Sequence, residues 1–405
     1  MNRRESLQEN SGKIWNPIFI KMFIINILIN FSICMVNPLS ATYADFLGAT
    51  ATIVGLVSSL FAMTALIFKL VSAPAADAFN KKNILIGSIF ILFVSFLGYS
   101  ISKTISMLII SRLLTGVGLA FVPICSIPIV SASLPAHKMA TGIGYFALGP
   151  AISQAIAPAI GLKLVDRIGY NYTFSILAVL LIFTIAFTAT LDISFKKANK
   201  FRITINSIIA KEVLIPAVIL FLLNMTFGNV NAFLILFGEK RGVNSNIGYF
   251  FTVLASTMIF TRPLIGKLAD KYGTVKVIIP SMLCFAVSFL LISYSKTLPM
   301  FLFAGFISAF GYVGCWPALM AVCMRLVPDD RRGAASSTSY IALDLSNLIG
   351  PVLAGVIIEV LGYAYMWQFM IFPILIAIII TIQFRDRISQ VSEDCAPERY
   401  VAQEG

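Results

Sequence analysis

Apolar runs of twenty or so residues alternate with short polar breaks along almost the whole chain. An α-helix rises 1.5 Å per residue, so about 20 apolar residues match a hydrocarbon core about 30 Å thick. The runs fall at 17–43, 51–75, 83–101, 104–131, 139–164, 171–191, 213–238, 247–269, 275–294, 298–324, 333–359 and 364–384. They predict an all-α membrane protein with twelve spanning helices. The longest polar interruption, 192–212, separates a six-helix bundle at 17–191 from a second at 213–384. Polar segments at 1–16 and 385–405 flank them.

The two bundles repeat one another at a constant offset of 193 residues. Asp77 corresponds to Asp270, Gly55 to Gly248, Gly118 to Gly311, Pro135 to Pro328 and Pro158 to Pro351. "GYNY" at Gly169 returns as "GYAY" at Gly362. Duplicated helical halves of this length imply two pseudo-symmetric bundles enclosing a site near the bilayer midplane.

Composition supports a lipid environment. The chain of 405 residues is 59% hydrophobic and 12% charged, against about 25% charged for a soluble domain. Its net charge of +12 lies in short loops, without the basic stripe or motif of a nucleic-acid binder. Six cysteines, five of them in apolar runs and none paired as CxxC, are expected to serve as small hydrophobes. No GxxxxGK(S/T) loop occurs, and the lone His137 in a loop supplies no catalytic set. An enzyme is therefore not expected, nor a cofactor.

Cations also set the expected orientation. With the N-terminus inside, the alternate loops facing outward carry only Lys103, Lys163, Arg167, Lys240, Arg241 and Lys296, and most of the 30 lysines and arginines fall inside. Both termini and the 192–212 linker are then cytoplasmic, as an even number of crossings requires.

Polar side chains inside the runs are the candidate chemistry. Arg112 lies within the fourth span, where an arginine costs at least ~2.5 kcal/mol and must find a wet or polar surrounding. It is read as a coupling or substrate-charge residue, or as a structural arginine satisfied by carbonyls. Asp344 shares a face of the eleventh span with Ser337, Tyr340 and Asn347. It is read as a proton or cation site, or as a hydrogen-bond hub. Asn30 and Asn37 in the first span recur as Asn224 and Asn231 in the seventh, at an offset of 194. Gln154 matches Asn347 across the repeat, and Trp316 precedes Pro317 in the tenth span. These suit a polar solute group or, equally, hydrogen bonds between helices.

The loop after the eighth span reads Gly266, Lys267, Leu268, Ala269, Asp270, Lys271, Tyr272, Gly273. It is similar to the G-x-L-A-D-(R/K)-(Y/F)-G motif of the major facilitator superfamily. The first copy keeps Asp77, Phe79, Lys81 and Lys82 but has Ala73, Ala78 and Asn80 at other motif positions. Arg112 and Gly116 resemble the family's R-x-x-x-G in helix 4. Gly144, Ser153, Ala157, Pro158, Gly161 and Leu162 partly resemble the helix 5 motif of its drug-efflux branch. The resemblance implies alternating access, with Asp77, Asp270 and Gly266 in a gate and the repeat-matched Lys69 and Arg262 as candidate partners. The expected function is proton-coupled efflux of a small organic solute, with a monomer in the bilayer as the expected state and a proton gradient as the energy source. Uptake of a nutrient or carboxylate by symport or facilitation is the alternative. A non-transporting sensor or assembly partner is the alternative of another class.

Overall fold

The computed structural model describes residues 14–135, 138–192, 210–328 and 331–385. His137, most of the linker, the first thirteen residues and most of the tail lie outside that set. The helices are α1 Pro17–Phe46, α2 Ala51–Ala78, α3 Lys81–Ile101, α4 Ile105–Ser133, α5 Met139–Phe146 and α6 Leu148–Ala189 in the first half. The second half has α7 Leu214–Lys240, α8 Tyr249–Tyr272, α9 Thr274–Tyr294, α10 Leu298–Arg325, α11 Arg332–Leu361, α12 Tyr363–Phe369 and α13 Ile371–Gln383. Local chemistry starts several of them. Asn16 accepts from the Phe19 amide at 2.9 Å with Pro17 as the first helical residue, and Asn80 accepts from Lys82. Such a cap stabilises a helix by about 1 kcal/mol.

Among the described residues eleven helical stretches are long and apolar enough to cross a membrane. One of them, Thr141–Ala189, runs 49 residues and crosses twice. Trp15 stacks near Tyr145 at one end, and Tyr43 stacks on Tyr170 at 4.7 Å at the other. Lys21 then donates to the carbonyl of Thr190 back beside the first end. The reversal is at Gly169, whose φ of 80° suits glycine alone. The break expected between the fifth and sixth spans is thus a single-residue elbow between two helical arms of α6. Its repeat mate Gly362 has nearly the same backbone, φ 90° and ψ 167° against 80° and 170°.

The duplication extends to single hydrogen bonds. Gly48 donates to Asp45 and Ala49 to Ala44; Gly242 donates to Glu239 and Val243 to Gly238, all shifted by 194. Close packing repeats too. A methyl on Gly118 would lie 2.7 Å from the Leu92 side chain, and one on Gly311 would lie 2.5 Å from that of Phe285. Small residues let helices approach where lipid supplies no hydrophobic drive.

The end of the molecule bearing residues 14, 192, 210 and 385 is the proximal end, and the elbows mark the distal end. In the distal part of α1, Met35, Val36 and every residue from Pro38 to Ala44 are buried. In its proximal part only Phe19, Met22, Ile25, Ile29 and Ser32 are buried, the spacing of a single face. In α7 every residue from Ala232 to Gly238 is buried. The halves therefore close on each other distally and part proximally, leaving a cleft open to the proximal end.

Candidate functional site

The distal seal is backbone on backbone. A methyl at Gly55 of α2 would stand 2.1 Å from the Pro351 carbonyl oxygen of α11, and one at Gly355 would stand 2.4 Å from that of Ala51. On the opposite flank, Gly248 leaves room for Ala159 of α6, whose Cα would lie 2.8 Å from such a methyl. Thr252 donates to the Ala155 carbonyl there at 2.5 Å, and Lys163 donates to the Tyr249 hydroxyl. Glu359 of α11 reaches across and accepts from the Thr52 amide of α2 at 2.9 Å. The chain's own residue at that helix start, Thr50, makes no side-chain cap bond. A carboxylate from the second half thus caps a helix of the first, where the helix dipole favours it.

Deeper in, an ion pair joins the halves. Lys69 Nζ of α2 meets Asp344 Oδ2 of α11 at 2.6 Å, with side chains 28% and 13% exposed. Lys69 also stands 5.5 Å from the exposed Tyr340 ring. Asp344 and Tyr340 therefore both stand by Lys69, which, expected beside the loop aspartates, is engaged by Asp344. The side chains of Asp77 and Asp270 lie outside the described set. Gly266 is exposed with open space around it, and Arg262 is exposed on α8 with no hydrogen bond or ion pair among the described residues.

Arg112 has a different setting. It is 1% exposed and held wholly within the first half. Its Nε donates to the Val57 carbonyl at 3.1 Å, and Nη2 donates to Asn37 Oδ1 at 3.1 Å and the Ser58 carbonyl at 3.3 Å. The guanidinium lies 4.7 Å over the Phe61 ring, and Nη1 has no partner. Of the two readings the sequence left open, this geometry matches a structural pin of α4 onto α2 and α1, near the distal seal.

The amides divide between helix contacts and the cleft. Asn30 donates to Asn26, whose own amide reaches the Phe146 carbonyl. Asn224 donates to Ser346 Oγ at 2.6 Å and ties α7 to α11. Gln154 accepts from Cys34, and half-buried Asn347 abuts Gly228. Half-buried Asn231 makes no hydrogen bond to another described residue. Trp316 stacks parallel to Tyr312 at 6.2 Å, Tyr312 packs on Phe227 at 4.2 Å, and the buried indole N–H has no acceptor. Tyr312 and Phe227 drew no notice in the sequence because aromatic residues in apolar spans are commonplace. The cap role of Glu359 was hidden for another reason: its partner is a backbone amide in the other half.

Two helical bundles related by a repeat, sealed at one end and cleft at the other, define a membrane carrier. The chain belongs to the Major Facilitator Superfamily, whose model matches residues 22–258 and 216–394. An MFS-type transporter of Methanocaldococcus jannaschii is 27% identical over 391 residues, covering 92% of this chain and 97% of that protein. The multi-drug resistance efflux pump PmrA of Streptococcus pneumoniae is 22% identical, with 84% and 88% covered. The multidrug resistance protein MdtG of Salmonella schwarzengrund is also 22% identical, with 81% and 85% covered. Among solved structures, a POT family transporter in complex with 5-aminolevulinic acid has a TM-score of 0.79 at 14% identity, covering 91% of this chain and 96% of that one. The nucleoside transporter NupG has a TM-score of 0.77 at 13% identity, covering 91% and 99%. The protein is a secondary transporter of this superfamily and not an enzyme.

Proposed function

We propose that this transporter exports a small organic solute in exchange for protons, with the Lys69–Asp344 pair as the coupling element. The observation that carries the reading is the Lys69–Asp344 ion pair across the halves, 2.6 Å long and incompletely buried beside the open cleft. With both termini cytoplasmic, the cleft faces the cytoplasm and the distal seal faces outward. Asp344, deprotonated toward the cytoplasm, holds Lys69 and leaves the cleft ready for solute. After the halves rock and release it outside, a proton entering from that side neutralises Asp344 and frees Lys69. The return step then carries the proton inward. Burial penalises an unpaired ammonium or carboxylate, so neutralising one partner changes which arrangement of the halves is favoured. The named efflux pumps among the relatives support the outward direction. Amides at Asn231 and Asn347 and the Trp316–Tyr312 surface supply a mixed polar and aromatic wall for the solute.

The test is flux in proteoliposomes with an imposed pH gradient, comparing wild type with Asp344→Asn and Lys69→Met. Asp344→Asn should keep downhill solute exchange and lose accumulation driven by the gradient. Full gradient-driven accumulation in Asp344→Asn would remove the coupling assignment.

A further inference from the structure

The repeat relates the α2·α11 flank to the α8·α6 flank, and the two can be followed step for step from the distal seal. On the first flank, Gly55 rests on Pro351 and Val352. Fourteen residues along α2 and eight along α11 lead to Lys69 and Asp344, which are bonded. On the second flank, Gly248 rests on Ala159, the repeat mate of Val352. The same fourteen and eight steps lead to Arg262 and Ala151. A cation stands at this depth on both flanks. Its carboxylate mate stands on only one.

The side-chain directions agree. Fourteen residues are about 3.9 turns, so Arg262 lies within about 40° of the face on which Gly248 touches α6. Ala151 is one turn from Ala155 and two from Ala159, both of which contact α8. Arg262 is exposed and has no ion pair among the described residues. The aromatic surface of Tyr312 and Trp316 lies on α10, which packs on α8. The indole N–H of Trp316, buried without an acceptor, is a second donor on that wall.

We infer that Arg262 binds the carboxylate of the transported solute, an aromatic organic anion whose ring lies against Tyr312 and Trp316. The solute's carboxylate takes the part on the α8·α6 flank that Asp344 plays on the α2·α11 flank. Loading then completes a second ion pair between the halves, so the anion itself helps to draw the cleft together. A planar guanidinium suits this role because it binds a carboxylate through two parallel N–H donors. This inference rests on the alternating-access reading above but not on proton coupling at Asp344.

The experiment measures protection of the purified full chain against thermal unfolding. The probes are benzoate, 1-naphthoate and indole-3-acetate, each beside its neutral amide. The acids should raise Tm in wild type and the amides should not. Arg262→Ala should weaken acid binding by about 10- to 100-fold, the loss of a charge-assisted hydrogen bond, and Arg262→Lys should retain part of it. Ala151→Asp should abolish the acid-specific shift while keeping the fold, because it supplies the second carboxylate internally. Equal responses to acid and amide, no response to any acid, or an unchanged acid response in Ala151→Asp overturns the inference. These readouts involve no pH gradient, so failure of the coupling assignment leaves them interpretable. Acid-specific binding that survives in Asp344→Asn separates the two sites.

Discussion

The two flanks where the halves meet share a backbone plan and differ in chemistry. Both begin at a glycine that admits the opposing chain, Gly55 on one side and Gly248 on the other. The α2·α11 flank then carries two carboxylate contacts between halves, Glu359 on the Thr52 amide and Asp344 on Lys69. The α8·α6 flank carries a hydroxyl–carbonyl bond from Thr252, a Lys163–Tyr249 contact and Arg262, which has no ion pair among the described residues. Duplication fixed where the halves touch, and divergence set a carboxylate against the cation on one flank and an alanine at the matching place on the other. Under the function proposed above, that divergence gives the proton one flank and the solute the other.

The comparison extends into each half. Arg112 binds α4 to α2 through the Val57 and Ser58 carbonyls; its repeat mate Gly305 packs on Phe250, the mate of Val57. The strongest test removes that pin. Arg112→Ala should destabilise the protein by about 2–4 kcal/mol, since buried acceptors lose a charged donor. Thermal unfolding in detergent would show it, and an unchanged Tm would mean that the flank does not depend on the arginine. Next in size is the seal. Gly55→Val places side-chain atoms on the Pro351 backbone and should cost the distally closed arrangement about 1–3 kcal/mol, roughly 5- to 150-fold in population. Gly248→Ala should cost less, because it adds one methyl, 2.8 Å from the Ala159 Cα against 2.1 Å from Gly55 to the Pro351 oxygen. Spin-label distances between the distal ends of α2 and α11 would report both, and equal effects would erase the asymmetry. The smallest effect belongs to the borrowed cap. Glu359→Gln keeps an acceptor but loses a charge at a helix N-terminus, about 0.3–1 kcal/mol. It should raise distal accessibility to a thiol reagent by about two- to fivefold; no change would show that Thr50 takes over the cap in full.

The fold was legible because lipid leaves few choices: apolar length gave the crossings and the 193-residue register gave the halves. The elbow at Gly169 was less so, since one glycine of positive φ makes the turn where composition marks a loop. The site was partly legible. An aspartate and an arginine in apolar runs announce themselves by cost alone, and Asp344 and Arg112 were found that way. Their surroundings were not, because periodicity gives the face of a helix and not its neighbour. Arg112 therefore stood between a cavity and a structural reading, whereas the structure sets it among the α2 carbonyls with Nη1 unpartnered. Lys69 matched Arg262 along the repeat, but only packing showed that α11 answers one of them and α6 does not answer the other.

The elbows at Gly169 and Gly362 have a mechanical consequence. In each half a cleft-side rod continues, through one left-handed residue, into a neighbour on the periphery. In α6 the outer arm is anchored proximally through Lys82, which donates to the carbonyls of Ala189 and Leu191. A swing of the inner rod is then passed to that outer arm as torque about a short pivot, not taken up by slack in a loop. The surrounding bilayer thereby becomes part of the hinge's stiffness, and the rocking rate should follow membrane thickness as well as ligand.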